Sequence, residues 1–97
     1  MWTLQTREPS ETGPLTFRIL PGSIKRIGRA TRADFVLDAA LVSRRHCRLT
    51  ARPDGALEVE DLSSTNGTYV NDQRVERVAL AEGDRLRVGR VELVVGR

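Results

Sequence analysis

The stretch HCRLTARPDGALEVED, residues 46–61, decides the fold class. Apolar and polar side chains alternate over residues 47–51, and they alternate again over residues 57–61. A period of two is typical of a β-strand that buries one face and exposes the other. Between the two runs, Arg52-Pro53-Asp54-Gly55 combines residues that favour tight turns. The stretch therefore predicts two strands that are joined by a turn.

Short runs of the same kind continue on both sides of this stretch. The β-prone runs are residues 16–20, 23–27, 34–37, 85–88 and 91–95. Residues that favour turns separate them, at 12–14, 21–22, 66–67, 71–72 and 82–84. The main helical candidate, residues 72–80, has few apolar anchors and no convincing caps, so strands are predicted there too. Many short strands at regular spacing predict an all-β sandwich or barrel.

Length and composition restrict the class further. A chain of 97 residues, 39% hydrophobic and 30% charged, predicts one soluble globular domain over residues 1–97. Neither a signal peptide nor a membrane-spanning run is recognisable. Cys47 is the only cysteine and His46 the only histidine, so neither a disulfide nor a zinc site is expected. These features predict a cytoplasmic protein that holds no metal or other cofactor.

Positive charge is concentrated in one part of the chain. The net charge is +3, but residues 24–48 hold seven basic against two acidic residues, which leaves −2 for the rest. Fifteen of the sixteen basic residues are arginine, whose planar fork binds an oxyanion through two hydrogen bonds. The concentration indicates a phosphate or carboxylate partner. A solvated basic face with a codon bias toward arginine explains the composition more simply, and both interpretations stay open here.

Three loop segments carry more potential oxyanion donors than a connector needs. They are Gly28-Arg29, Ser43-Arg44-Arg45-His46 and Asp61-Leu62-Ser63-Ser64-Thr65-Asn66-Gly67-Thr68. Hydroxyls, arginine forks and backbone amides freed by Ser, Thr and Asn turns all donate to phosphate. Each segment by itself also fits an ordinary turn or strand entry. Together, in the loops of one sandwich, they are expected to converge.

These segments, followed by Tyr69-Val70-Asn71 and Gly83-Asp84, resemble a forkhead-associated (FHA) domain in order and spacing. The resemblance covers about residues 24–95, and its Ser-Arg-x-His and Ser-Thr-Asn-Gly-Thr elements are highly specific. It implies an eleven-stranded β-sandwich of the SMAD/FHA-like class, with ligand-binding loops at one end and both termini at the other. It also implies a signalling module that binds phosphothreonine-containing proteins, the products of a Ser/Thr kinase, and that is not an enzyme.

The resemblance assigns five phosphopeptide-binding residues. Arg29 would hold the phosphate with its guanidinium, and Ser43 would donate a hydrogen bond to it. Arg44 stands where the family contacts phosphate or peptide backbone. Thr65 would support the phosphate pocket, and Asn66 would bond the peptide backbone beside the phosphothreonine.

Four further residues receive structural roles from the same resemblance. Gly28 and Gly67 would shape the loops, and His46 would form hydrogen bonds within the loop framework. Asp61, at the start of the third segment, belongs to the same structural group. His46 is expected to be buried and bonded to backbone, and not to touch the ligand's phosphate.

Two other kinds of binding partner are weighed against a phosphoprotein. A basic β-barrel for nucleic acid would stack bases on exposed aromatic side chains. Here Phe17 and Phe35 look like core residues and Trp2 lies near the terminus, so nucleic acid is not expected. A domain that keeps the fold but binds an unphosphorylated partner, or itself, is disfavoured only weakly by the intact loop residues.

A hydrolase built on Ser43, His46 and Asp61 is the catalytic alternative. A triad needs the serine hydroxyl within hydrogen-bond reach of an imidazole. An offset of three along a strand would place Ser43 and His46 on opposite faces. The chain also lacks a Gly-x-Ser-x-Gly nucleophile elbow, so no catalysis is expected.

Overall fold

Eleven short β-strands, without any helix, make up the structure, which is a computed structural model describing every residue from Met1 to Arg97. The strands are β1 (Trp2–Thr6), β2 (Thr16–Ile19), β3 (Ile24–Gly28), β4 (Phe35–Val36), β5 (Cys47–Ala51), β6 (Leu57–Asp61), β7 (Thr68–Val70), β8 (Gln73–Val75), β9 (Arg77–Leu80), β10 (Arg85–Val88) and β11 (Val91–Gly96). The predicted all-β class is confirmed, and two strands occupy the stretch of the helical candidate. With strands alone, the structure contains no helix that could span a membrane.

The strands pair into two sheets. Six strands follow the order β2-β1-β11-β10-β7-β8, and five follow the order β4-β3-β5-β6-β9. Residues 46–61 form the predicted hairpin, with Cys47 opposite Asp61 at one end and Ala51 opposite Leu57 at the other. This hairpin lies at the middle of the five-stranded sheet, so its register sets the positions of the strands on both sides.

Nineteen buried apolar residues, drawn from both sheets, form the core. Leu4 of β1 and Ile27 of β3 have no exposed surface. Full burial of such a side chain stabilises the fold by about 1.5–3 kcal/mol. Phe17 of β2 and Phe35 of β4 stack with ring centroids 4.4 Å apart and pack against the core, so they link the two sheets.

The polar loops lie at one end of the sandwich and the termini at the other. Strands β3 and β6 end, and β5 and β7 begin, at the loop end. Antiparallel pairing places Ile27, Cys47 and Asp61 side by side there. At the other end, Gly55 in the β5–β6 turn accepts hydrogen bonds from the side chains of Trp2 (3.0 Å) and Arg97 (3.2 Å). This arrangement is the one that the resemblance to FHA domains implies.

The sequence prediction misses strand β1, and it did not include Trp2 among the core residues. Trp2 is only 5% exposed, and the Arg97 guanidinium lies 4.5 Å from the centroid of its ring system. Trp2 and Leu4 alternate with Thr3 and Gln5, so the local signal is present but confined to one short run at the start of the sequence. What orders the segment is long-range pairing with β11, where Leu4 lies opposite Val95.

We expect Trp2→Ala to lower the free energy of unfolding by about 3–5 kcal/mol, the usual range for removing a buried aromatic ring. Met1→Ala is the matched control, because the neighbouring Met1 side chain is exposed and should change the stability little. Urea unfolding followed by circular dichroism measures both. Equal stability of the two variants would contradict the assignment of β1 to the core.

Candidate functional site

The three polar loops meet in a pocket of about 200 Å³ at the loop end of the sandwich, which we call the loop pocket. Its lining residues are Arg29, Ala40, Leu41, Val42, Ser43, Thr65 and Asn66. The pocket thus brings together four of the five residues expected to bind a phosphopeptide. The three additional lining residues, Ala40, Leu41 and Val42, form an apolar wall.

Gly28 lets two of the loops approach closely. A Cβ added to Gly28 would lie 2.0 Å from the backbone oxygen of Arg44, far inside van der Waals contact. The approach permits two backbone hydrogen bonds, from Arg29 N–H to Ser43 C=O (2.9 Å) and from Ala30 N–H to Arg44 C=O (3.3 Å). Only glycine fits there, and its absence of a side chain fixes Arg29 beside Ser43.

Two hydrogen bonds join the remaining loops across the pocket. The Ser43 hydroxyl oxygen accepts from the backbone N–H of Thr65 at 3.0 Å, and the Asn66 side-chain amide donates to Leu41 C=O at 3.1 Å. Because the serine oxygen acts as an acceptor here, its own proton is available to a ligand. The Asn66 side-chain oxygen is likewise left to accept a hydrogen bond. With the exposed Arg29 guanidinium, the pocket offers charged and neutral donors and one acceptor.

His46 lies beneath the pocket, fully buried, and holds two loops through both of its ring nitrogens. Its Nδ1 accepts from the backbone N–H of Ser43 at 3.0 Å, and its Nε2 lies 2.8 Å from the Gly67 carbonyl oxygen. A ring that accepts at Nδ1 and donates at Nε2 is neutral. Burial lowers the pKa of His46, and the Gly67 bond and the Asp61 charge offset this only in part.

Asp61 organises the third loop from its base. Its carboxylate accepts from the backbone and side chain of Ser64 and from the Thr68 hydroxyl, and the Ser64 hydroxyl oxygen accepts from Gly67 N–H at 2.9 Å. Burial raises the pKa of Asp61, but the hydrogen bonds from Ser64 and Thr68 outweigh it and hold the pKa below its ordinary value. Gly67 adopts a φ of 87°, which closes the loop.

Two residues of this framework, Ser64 and Thr68, were counted in the sequence only among the potential oxyanion donors of the third segment, whereas in the structure their hydroxyls donate to Asp61. Both are buried, and both donate to the same carboxylate. The available signal was spacing, since a carboxylate followed by Ser three residues later favours a local side-chain turn. The spacing of Asp61 and Ser64 is such a signal in the sequence. The second donor, Thr68, could not be recognised in this way, because it reaches Asp61 as the first residue of strand β7.

Arg44 is the predicted contact residue that does not line the loop pocket. It lines a neighbouring cavity of about 240 Å³, which we call the arginine cavity. The lining residues of the arginine cavity are Arg26, Ile27, Ala30, Arg32, Ala33, Arg44 and Arg45. The sequence places Ser43 and Arg44 in one motif, whereas in the structure their side chains line different cavities.

One step of the sequence prediction about catalysis is wrong. Residues 43–46 precede β5 and the chain bends at Arg44-Arg45, so Ser43 and His46 are not on opposite faces of a strand but in contact. The contact uses the Ser43 backbone amide, while the hydroxyl is bonded to Thr65. Both imidazole nitrogens are occupied by backbone groups, so neither one faces a nucleophile.

No group of three or more His, Cys, Asp or Glu side chains is placed to hold a metal ion. Cys47 is fully buried beside the framework, and burial raises the pKa of its thiol to about 12. A thiol with so high a pKa stays protonated near neutral pH and is a poor nucleophile. The chemistry that the loop end offers is therefore the recognition of an anion by hydrogen-bond donors.

Comparison with known proteins agrees with this geometry. A family model for the FHA domain matches residues 25–89. The chain is 43% identical over 82 residues to the ABC transporter ATP-binding/permease protein Rv1747 of Mycobacterium tuberculosis, which covers 84% of this chain and 9% of that protein. The chain spans less than half the length of this and similar curated relatives.

Two solved structures superpose on nearly the whole chain. One, from a structural and functional study of phosphothreonine-dependent FHA domain interactions, has a TM-score of 0.86 at 38% identity and covers 99% of this chain and 95% of that one. The other is the FHA domain of FhaA in complex with the intracellular domain of Rv3910. It also has a TM-score of 0.86, at 36% identity, and the match covers 98% of this chain and 99% of that one.

We expect the stability of the domain to fall as the pH is lowered from 7 to 5. Below the ordinary pKa of histidine, the unfolded chain binds a proton that folded His46 resists because of its lowered pKa. His46 is the only histidine, so no other side chain has its ordinary pKa in this window. Urea unfolding at several pH values measures how the free energy of unfolding depends on pH.

His46→Gln is the matched variant for this measurement. It should be less stable at pH 7 by about 1–3 kcal/mol, because buried backbone groups lose a partner. Its stability should nevertheless be nearly independent of pH between 7 and 5. Two results would contradict the assignment of a lowered pKa to folded His46. The first is a free energy of unfolding of the parent domain that does not change between pH 7 and 5, and the second is a pH dependence of the variant that equals that of the parent.

Proposed function

This chain belongs to the FHA domain family, and from that premise we propose that it binds phosphothreonine-containing segments of other proteins. In this proposal, residues 1–97 act as one FHA domain in signalling, and the partner is recognised once a Ser/Thr kinase has phosphorylated it. The FHA domain of FhaA, seen in complex with a domain of another protein, supports a role in protein–protein interaction.

The observation that carries the proposal is the convergence of Arg29, Ser43 and Thr65 in the loop pocket. A phosphothreonine has nearly two negative charges and three strong acceptor oxygens. We assign the Arg29 fork and the Ser43 hydroxyl to the phosphate, with Thr65 supporting them. Asn66 is assigned to the ligand backbone, because its side-chain oxygen is left to accept an amide proton after its amide bonds Leu41.

The remaining assigned residues, apart from Arg44, hold the loops in place. Gly28 permits the close approach of two loops, and the hydrogen bonds of His46, Asp61 and Gly67 hold the third loop against them. We propose that these four residues do not touch phosphate. Arg44 is proposed to contact the ligand from the rim between the two cavities, since its backbone is paired with Ala30 and its side chain lines the arginine cavity.

We propose a binding module without catalysis, in a cytoplasmic setting. The FHA family comprises binding modules, and the engagement of both His46 nitrogens by backbone groups supports the absence of a general base. Nucleic acid is not a proposed partner, because Trp2 is buried and the half-buried Phe17 is stacked on Phe35. The half-buried Tyr69 ring is covered by an arginine, so it offers no open stacking surface.

We expect Arg29→Ala to weaken binding of a phosphothreonine peptide by about 2 kcal/mol, or about 30-fold, because the phosphate loses a charge-assisted fork. The free energy of unfolding should barely change, since Arg29 is exposed. Isothermal titration calorimetry measures the affinity. Arg90→Ala is the control, because Arg90 is an exposed arginine that lines neither the loop pocket nor the arginine cavity. Unchanged affinity of the Arg29 variant would contradict the assignment of Arg29 to the phosphate.

We also expect the domain to prefer phosphothreonine over phosphoserine by about tenfold, or 1.4 kcal/mol. Charge cannot discriminate the two ligands, since their phosphates are identical. The preference must come from burial of the extra methyl group, worth about 0.8 kcal/mol by area, and from the void that serine leaves in a rigid pocket. The Thr65–Gly67 turn is the proposed wall around that methyl group.

Titration of two peptides that differ only in the phosphorylated residue measures this preference, with the unphosphorylated peptide as the blank. Equal dissociation constants for the two phosphopeptides would mean that the loop pocket reads charge alone. In that case the close-packed methyl site assigned to the Thr65–Gly67 turn does not exist.

A further inference from the structure

The arginines around the arginine cavity differ from most others in the chain, because none of them has a carboxylate partner within 4 Å. Elsewhere, five arginines form ion pairs with carboxylates: Arg7, Arg48, Arg52, Arg77 and Arg85. Two more cover aromatic rings, namely Arg87 and Arg97. The cavity's own four arginines are exposed, and its lining includes no acidic residue. Like charges gathered in this way repel one another unless an anion joins them.

The carboxylate of Asp34, which bonds the backbone of one of these arginines, does not neutralise the cluster. Asp34 follows the arginine-rich loop, but its carboxylate accepts from the backbone N–H of Arg26 at 2.8 Å rather than from a guanidinium. The other part of the cavity is apolar, formed by Ile27, Ala30 and Ala33. An apolar floor below an arginine rim suits a side chain with an apolar stem and an anionic head.

The arginine cavity and the loop pocket lie on opposite sides of the same pair of backbone segments. Arg29 and Ser43 line the loop pocket, whereas their next neighbours, Ala30 and Arg44, line the arginine cavity. The two segments are held together by the backbone bonds that follow Gly28. Since an extended peptide advances about 3.3 Å per residue, one ligand segment can reach both cavities within a few residues.

We propose that the arginine cavity is a second anion subsite, which takes an acidic or phosphorylated side chain a few residues away from the phosphothreonine in the same ligand. This subsite rests on the proposed function, because the loop pocket anchors the ligand. Carboxylate and phosphate share the chemistry that the arginine forks recognise, and the peptides of the test separate the two sources.

The test uses calorimetry with a set of phosphothreonine peptides. The reference peptide has neutral side chains at every other position. A second series places one glutamate at each of the four positions on either side of the phosphothreonine, and a third places a second phosphothreonine there. The parent domain should bind at least one glutamate or doubly phosphorylated peptide about fivefold more tightly than the reference peptide, the scale of a favourable exposed ion pair.

The double variant Arg26→Gln/Arg32→Gln removes two rim charges that are not assigned to the phosphothreonine. It should bind the reference peptide within about twofold of the parent and lose the fivefold gain. Arg18→Gln/Arg90→Gln is the matched control, because it removes the same charge from two exposed arginines outside both cavities and should keep the gain. A gain from the second phosphate alone would assign the subsite to doubly phosphorylated partners, and a gain from glutamate as well would assign it to acidic ones.

Three results would overturn the subsite. In the first, no position gives a gain although the reference peptide binds, which leaves the proposed function intact. In the second, the gain survives in the Arg26→Gln/Arg32→Gln variant. In the third, a single-stranded oligonucleotide displaces the peptide and loses affinity in that variant, which would give these arginines to nucleic acid. Failure of the reference peptide itself to bind would contradict the proposed function, and the subsite with it.

Discussion

The binding end of this domain depends on one buried imidazole. His46 accepts a hydrogen bond from the Ser43 amide and bonds the Gly67 carbonyl, so a single ring holds together two loops that are far apart in sequence. The ring must be neutral to accept at one nitrogen while it donates at the other, and burial keeps it neutral. Asp61 extends the framework by holding Ser64, which in turn holds the Gly67 amide. Loop order is thereby established on folding, which lowers the entropic cost of binding.

The groups beneath the loop pocket and the groups on its rim differ in charge. Beneath the pocket lie a neutral imidazole and a carboxylate that is surrounded by hydroxyl and amide donors, whereas the rim carries exposed arginines without carboxylate partners. Such a rim attracts a dianion from a distance, and the donors fixed below it provide the short-range geometry. The close approach at Gly28 then divides the rim. On one segment Arg29 lines the loop pocket and the adjacent Ala30 lines the arginine cavity, and on the other segment Ser43 and Arg44 are divided in the same way.

Much of this could be predicted from the sequence, since local patterns encode it. Period-two alternation predicted the hairpin of residues 46–61 and the all-β class, and the polar segments marked the loops that form the pocket. The failures are long-range. Strand β1 was missed although Trp2 and Leu4 alternate with Thr3 and Gln5, and what orders this segment is its pairing with the distant strand β11. The sequence prediction placed Ser43 and His46 on opposite faces of a strand, which is wrong because the chain bends between them and the two residues are in contact. The separation of Ser43 and Arg44 into two cavities follows from backbone pairing between segments that are distant in sequence.

The buried framework of His46 and Asp61 orders the site before any ligand arrives. Amide hydrogen exchange, measured by NMR on the free domain and on its phosphothreonine-peptide complex, tests whether the site is ordered in advance. The Ser43 amide, bonded to the imidazole, and the Gly67 amide, bonded to Ser64, should exchange slowly in the free domain, and the peptide should change their rates little. Rapid exchange of both amides in the free domain, with protection only after the peptide binds, would contradict the claim, because the ligand would then be building the site.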